Sequence, residues 1–162
     1  KGIVVGFGNN EFRPKDKLTR AQFAAILVRA FNIETTTGHS KFDDVKESHW
    51  YYEAVMNLAN LKIVSGDGTG NFNPNGNITR EQMIKLLIEV INIKYPEYLN
   101  TKGNLNGFKD SSTISDWAVE YMEKAVGLGL INGFEDSTIR PKEEATRAQA
   151  AVIIDRILSL LK

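Results

Sequence analysis

The chain has 162 residues, with 20 Lys and Arg balanced by 20 Asp and Glu, 42% hydrophobic residues and no cysteine. That length supports one good core, while zero net charge supplies no long-range field to gather nucleic acid or an acidic membrane surface. The missing cysteine excludes disulfides and thiolate metal sites, and no apolar run approaches the roughly 20 residues that cross a bilayer.

The chain starts at Lys1-Gly2-Ile3 without an initiator Met or a leader, and so reads as a mature product or an excised piece. Its first predicted elements are a short apolar run, Ile3-Val4-Val5, a loop carrying Gly6, Phe12 and Pro14, and then Leu18-Thr19-Arg20-Ala21-Gln22. Thr followed three residues later by Gln, just ahead of apolar residues, is a capping box: the hydroxyl accepts from the third helical N–H and the Gln reaches back to the cap N–H. A helix is therefore predicted from Thr19, and Phe23, Ile26, Leu27, Ala30 and Phe31 fall on one face of it. A polar, Thr-rich linker over 32–41 follows.

Phe42-Asp43-Asp44 then leads into a second helical pattern, Trp50, Tyr51, Ala54, Val55, Leu58 and Ala59. A Gly-rich loop holding Gly66, Phe72 and Pro74 ends in Ile78-Thr79-Arg80-Glu81-Gln82, which opens the next helix through Met83, Leu86, Leu87, Val90 and Ile91. Pro96 closes that helix, and residues 94–107 read as linker. Phe108-Lys109-Asp110 opens the third stretch, followed by Trp117, Ala118, Tyr121, Met122, Ala125 and Val126. A loop with Gly133, Ile139 and Pro141 leads to Ala145-Thr146-Arg147-Ala148-Gln149 and a last helix with Ala150, Ile153, Ile154, Ile157 and Leu158 inward.

The chain is thus an internal repeat. Gly6, Pro14, Thr19 and Arg20 recur at identical spacing as Gly66, Pro74, Thr79 and Arg80, and again as Gly133, Pro141, Thr146 and Arg147. A full unit is a Phe-x-Asp lead-in, a first helix, a Gly-rich loop, a capping box and a second helix. Residues 1–35 hold the second half of one unit, while 42–94 and 108–162 hold complete ones, all sharing one core. With a half-unit first, the expectation is that the bundle cannot close from the chain's own residues, and that helix exchange with another chain or a missing N-terminal segment completes it.

The motif Arg is what the capping box leaves unexplained. A cation in the first helical turn faces the positive end of the macrodipole, yet Arg20, Arg80 and Arg147 all stand there. Two readings stand open: guanidinium groups and free N–H groups converging on an anionic ligand, or Arg side chains that are exposed or paired with carboxylates of a neighbouring unit. Other chemistry finds less support. The loop Ser65-Gly66-Asp67-Gly68 lacks the Gly-Lys-Ser/Thr of a phosphate cradle. Asn71, Asn73, Asn75 and Gln82 fit the spacing of a calcium loop but offer only neutral ligands, with Gln where a bidentate Glu belongs. His39 and His49 sit in no metal-ligand pattern, and no cofactor, metal or catalytic group is expected. Trp50 and Trp117 read first as packing residues whose edges can also meet a ligand.

Taken together, Phe-x-Asp, Trp, the Gly loop, Phe-x-Pro and Ile-Thr-Arg-x-Gln resemble the surface-layer homology (SLH) repeat of bacterial cell-envelope proteins, over nearly the whole chain. The family's Thr-Arg-Ala-Glu motif appears here with Gln22, Gln82 and Gln149 in place of Glu. The resemblance implies an all-α fold, with tandem helix-loop-helix repeats packed as an intrachain pseudo-threefold trimer and the first repeat truncated. It also implies an extracellular module at the cell wall or S-layer, with no nucleic-acid partner, no membrane insertion and no enzymatic activity. Such a module binds secondary cell-wall polysaccharide through terminal pyruvylated N-acetylmannosamine in grooves between repeats. Carried onto this chain, the ligand-binding residues implied are Arg20, Arg80 and Arg147, Asp44 and Asp110, Trp50 and Trp117, and Gly6, Gly66 and Gly133. A protein–protein scaffold of the envelope, with the Args paired internally, is the alternative.

Overall fold

The computed structural model of the chain describes residues 11–34 and 41–162. Among these residues the fold is all-α, with five α-helices: α1 (Arg20–Ala30), α2 (Tyr52–Asn60), α3 (Arg80–Lys94), α4 (Val119–Gly127) and α5 (Arg147–Leu160). Helices α1, α3 and α5 are the second helices of successive units, and α2 and α4 are the first helices of the second and third. Each first helix packs on the second helix of the preceding unit, α2 on α1 and α4 on α3.

All three capping boxes form. Thr19, Thr79 and Thr146 each accept from the N–H of the Gln three residues on, and each Gln side chain accepts from the N–H of its cap residue. Two helical N–H groups at each start remain to be satisfied, and the neighbouring unit supplies the acceptors. The N–H groups of Arg20 and Ala21 donate to the carbonyls of Gly76 and Pro74 at 2.9 and 3.0 Å. Those of Arg80 and Glu81 donate to Glu143 and Pro141, and those of Arg147 and Ala148 to Asp16 and Pro14.

The order is cyclic, from first unit to second, second to third and third to first. At its centre the residues just ahead of the caps close a ring of backbone hydrogen bonds. Ile78 N–H donates to the Leu18 carbonyl at 2.9 Å, Ala145 N–H to Ile78 at 2.8 Å, and Leu18 N–H to Ala145 at 2.9 Å. All three of these residues are fully buried. The expectation that the bundle cannot close from its own residues is therefore corrected at this centre. Closure runs through loops and capping boxes, which the half-unit possesses, and needs no first helix.

Apolar faces fill the interior as the periodicity predicts. Phe23, Leu27, Met83, Leu87, Ile91, Ala150 and Ile157 are sealed from solvent, whereas Ala30 and Leu158 lie at its margin. Each such large side chain contributes about 1.5–3 kcal/mol by leaving water. The first helices start later than their patterns suggest. Trp50 precedes the cap residue of α2, and Trp117 lies in a 3₁₀ turn, Asp116–Ala118, ahead of α4. Neither helix has a side-chain cap, so nothing local holds the Trp inside the first turn.

Candidate ligand grooves between the units

Each motif Arg crosses to the next unit's loop. Arg20 Nε donates to the Phe72 carbonyl at 2.8 Å, Arg80 Nε to Ile139 at 3.1 Å, and Arg147 Nε to Phe12 at 2.9 Å. The guanidinium lies over an aromatic ring in every case: Phe72 for Arg20, Phe12 for Arg147 and Phe134 for Arg80. The loop residue that accepts from Arg80 is Ile139, which has no ring, and Phe134 supplies one from five residues earlier. Arg80 and Arg147 are 6% and 5% exposed, and Arg20 is half-buried. Burial pushes the Arg20 guanidinium below its ordinary range while Asp44 and Asp67 draw it back up; burial likewise lowers Arg80, against the pull of Glu143.

The part of the first reading that this geometry corrects is the free N–H groups. The cap side chains and the neighbouring carbonyls take up the N–H groups of every capped helix start, so none is left for an anion. The Nε hydrogen bonds go to backbone carbonyls rather than to carboxylates, and a guanidinium has further donors on its two terminal nitrogens.

The lead-in acids act one step behind the Args. Asp44 accepts from the N–H groups of Phe72 and Asn73 at 2.8 and 2.7 Å, and Asp110 from those of Ile139 and Arg140 at 2.8 Å each. Phe72 and Ile139 thus give their N–H to the lead-in acid and their carbonyl to the motif Arg. The acid holds the peptide that holds the guanidinium. Asn73 and Arg140 adopt positive φ, at 57° and 52°, and the paired carboxylate bonds fix these left-handed turns.

Gly66 and Gly133 allow the loop to approach the lead-in aromatic ring. A Cβ on Gly133, where φ is +76°, would sit 2.4 Å from a Phe108 ring carbon; one on Gly66 would sit 2.7 Å from the Asn71 carbonyl oxygen and 3.2 Å from Phe42. Gly6 lies outside the described residues.

Among the described residues, two grooves run beside the loops. The first, about 510 Å³, draws on all three units: Arg20 from the first, the Ser65–Asp67 and Phe72–Asn73 stretches with Gln82 and Lys85 from the second, and Trp117 and Tyr121 from the third. Trp117 is 47% exposed there. Tyr121 donates its hydroxyl to Glu89, and its ring lies 5.7 Å from the Lys85 ammonium. Burial first, and then the Glu89 carboxylate, push the Tyr121 phenol up to about 12. Its neutral form is thus favoured by folding, a contribution present below the ordinary phenol value of about 10 and lost as pH rises through the folded one.

The second groove, about 220 Å³, repeats the first with Arg80, Gly133, Phe134, Gln149, Val152 and Arg156. Of the residues singled out from sequence, the first groove therefore gathers Arg20, Gly66 and Trp117, and the second Arg80 and Gly133. Asp44 and Asp110 line neither; Trp50, 65% exposed, stands at the start of α2, and Arg147 reaches the Phe12 loop. Lys85, Tyr121 and Arg156 were not foreseen. The available signal was the helix face that carries Gln82 or Gln149, followed one turn onward to Lys85 in α3 and two turns onward to Arg156 in α5; Tyr121, on α4, had none.

The fold defines a cyclic helical repeat module with grooves at the joints between its units. The S-layer homology domain model matches residues 1–24, 41–84 and 107–151, and the chain belongs to that family. It is 36% identical over 156 residues to the amylopullulanase of Thermoanaerobacterium thermosulfurigenes, covering 96% of this chain and 8% of that protein. Identity is 32% over 160 residues to the surface-layer 125 kDa protein of Lysinibacillus sphaericus, covering 97% of this chain and 13% of that one. With the cellulosome-anchoring protein of Acetivibrio thermocellus it is 30% over 165 residues, 96% and 35% of the two chains. The chain therefore spans about a third of these relatives at most. Among the described residues no helix is long and apolar enough to cross a membrane.

Proposed function

We propose that this chain is a non-covalent, non-catalytic anchoring module that holds a protein at the bacterial cell surface by binding secondary cell-wall polysaccharide. The groove walled by Arg20, Lys85 and Trp117 carries this reading. It combines cationic donors for an acidic group with an exposed indole on which a sugar ring stacks, and all three units contribute to it. The acidic group is assigned as the carboxylate of pyruvylated N-acetylmannosamine at the polysaccharide terminus. Arg20 contacts it through Nη1 and the second hydrogen of Nη2, since Nε donates to Phe72 and Nη2 also to the Ser65 carbonyl at 3.4 Å; Gly66 keeps the loop low beside it, and Asp44 positions the Arg through Phe72. Arg80 and Gly133 take the same parts in the second groove. Anchoring suits the range of relatives, which includes a surface-layer protein and polysaccharide-degrading enzymes that share this stretch with the chain.

Titration of the chain with purified wall polysaccharide, before and after chemical removal of pyruvate, tests the assignment. Binding is expected to vanish with the pyruvate and to weaken about tenfold or more in Trp117→Ala. Equal binding of the depyruvylated polymer would reject the carboxylate. Failure of the folded chain to bind either polymer would favour a protein–protein scaffold instead.

A further inference from the structure

The first groove contains a second cation that the repeat motif does not encode. Lys85 lies on its wall, with Nζ 3.5 Å from the Ile63 carbonyl and 5.7 Å from the centre of the Tyr121 ring. Among the described residues no carboxylate is within ion-pair distance of it. An ammonium has three donors, and only one is engaged, at the long end of hydrogen bonding. Its position is nevertheless defined, because Glu89 holds the Tyr121 hydroxyl and so fixes the ring beside the Lys.

The second groove supplies the comparison. Val152 stands at the helix position equivalent to Lys85, so the cation is absent from that register. Arg156, one turn further along α5, also lines the groove and donates Nη1 to the Leu130 carbonyl at 2.8 Å. Leu130 is the third unit's counterpart of Ile63. Two grooves thus place a positive group on the same backbone carbonyl from different helix positions. Packing alone would tie a side-chain shape to a position. What recurs here is a charge at a place, facing the motif Arg of the preceding unit.

We propose that each groove reads its acidic saccharide with two cations from successive units, the motif Arg and a second cation, Lys85 in the first groove and Arg156 in the second. Lys85 is the specificity-determining residue for anionic ligands in the larger groove. This rests on the acidic-saccharide reading given above. Arg20 and Lys85 outweigh Asp67, the one carboxylate among the residues lining the first groove, and Arg80 and Arg156 face none in the lining of the second; the positive potential that results is one which an anion neutralises and which salt screens.

The test uses the whole chain and pyruvylated wall polysaccharide, titrated at low and high salt, with Lys85→Gln, Lys85→Arg, Arg156→Gln and Trp117→Ala variants. Lys85→Gln should lower affinity tenfold or more at low salt and flatten the salt dependence, with an unchanged melting temperature. Lys85→Arg should stay within about threefold of wild type, and Arg156→Gln added to Lys85→Gln should weaken binding further. If Lys85→Gln is poorly folded, Lys85→Val, which copies the side chain α5 carries at this position, is read in its place. Wild-type affinity and salt dependence in Lys85→Gln, with loss in Trp117→Ala, would overturn the second cation and leave the groove assignment standing. A lower melting temperature with unchanged affinity would make Lys85 a cap on the segment following α2 and overturn the proposal equally. If folded wild type does not bind at all, both readings fall.

Discussion

Three equivalent residues, Arg13, Asn73 and Arg140, each precede a proline and each adopt positive φ, between 50° and 57°. A residue before proline ordinarily sits in the extended region, so the loop stores strain at this point, and the carboxylates of Asp44 and Asp110 hold it. The glycines nearby separate two costs that are usually confounded. At Gly68, φ is +87° and a Cβ would meet nothing within 4 Å, so Gly68→Ala carries only the backbone penalty, about 1 kcal/mol. At Gly133, φ is +76° and the Cβ would strike the Phe108 ring. Gly133→Ala should therefore cost about 2–4 kcal/mol, the same backbone penalty plus an overpacking term of about 1–3 kcal/mol. Urea unfolding of the two variants checks this, and equal losses would contradict it. The repeat marks Gly66 and Gly133 as special in the sequence; the ring of Phe108 as the reason does not appear there, since it lies 25 residues away in the chain.

At the scale of the helix, local rules are the legible ones. Thr and Gln three residues apart specify a cap whose atoms all belong to four consecutive residues, and every one of the three forms. Thr79→Ala should cost about 1 kcal/mol, the ordinary value for a lost cap, because the cap is half-buried beside the open first groove. Thermal or urea denaturation measures it, and a loss below a few tenths of a kcal/mol would show that the neighbouring carbonyls suffice alone. The Arg beside each Thr was illegible for the opposite reason. Its partners are 52, 59 and 135 residues distant, on another unit's loop. The peptide contacts of the lead-in acids were equally hidden, because nothing in Phe-x-Asp announces that the carboxylate binds a peptide on the far side of the Gly-rich loop. Lys85 and Tyr121 converge only because α4 packs on α3, a pairing between units that periodicity does not specify.

For the whole molecule, each capped helix depends on a loop from another unit, so no unit can form its N-terminal hydrogen bonds alone. Unfolding should accordingly be a single transition. Trp50 and Trp117 stand ahead of α2 and α4, and variants retaining one Trp each report on the second and third units. Coincident urea midpoints for both Trp signals and for helical circular dichroism are expected; separated midpoints would show that the units melt independently. An internal repeat was readable from the residues themselves, whereas a closed arrangement was implied only by the family resemblance, since a tandem array of the same units is equally compatible with a linear stack. The distinction has a consequence for endurance at an exposed surface. Linear stacks have outermost members with one neighbour each, where opening starts and from which it spreads. In the ring through Leu18, Ile78 and Ala145 every member has two neighbours, so there is no outermost bond at which erosion can begin.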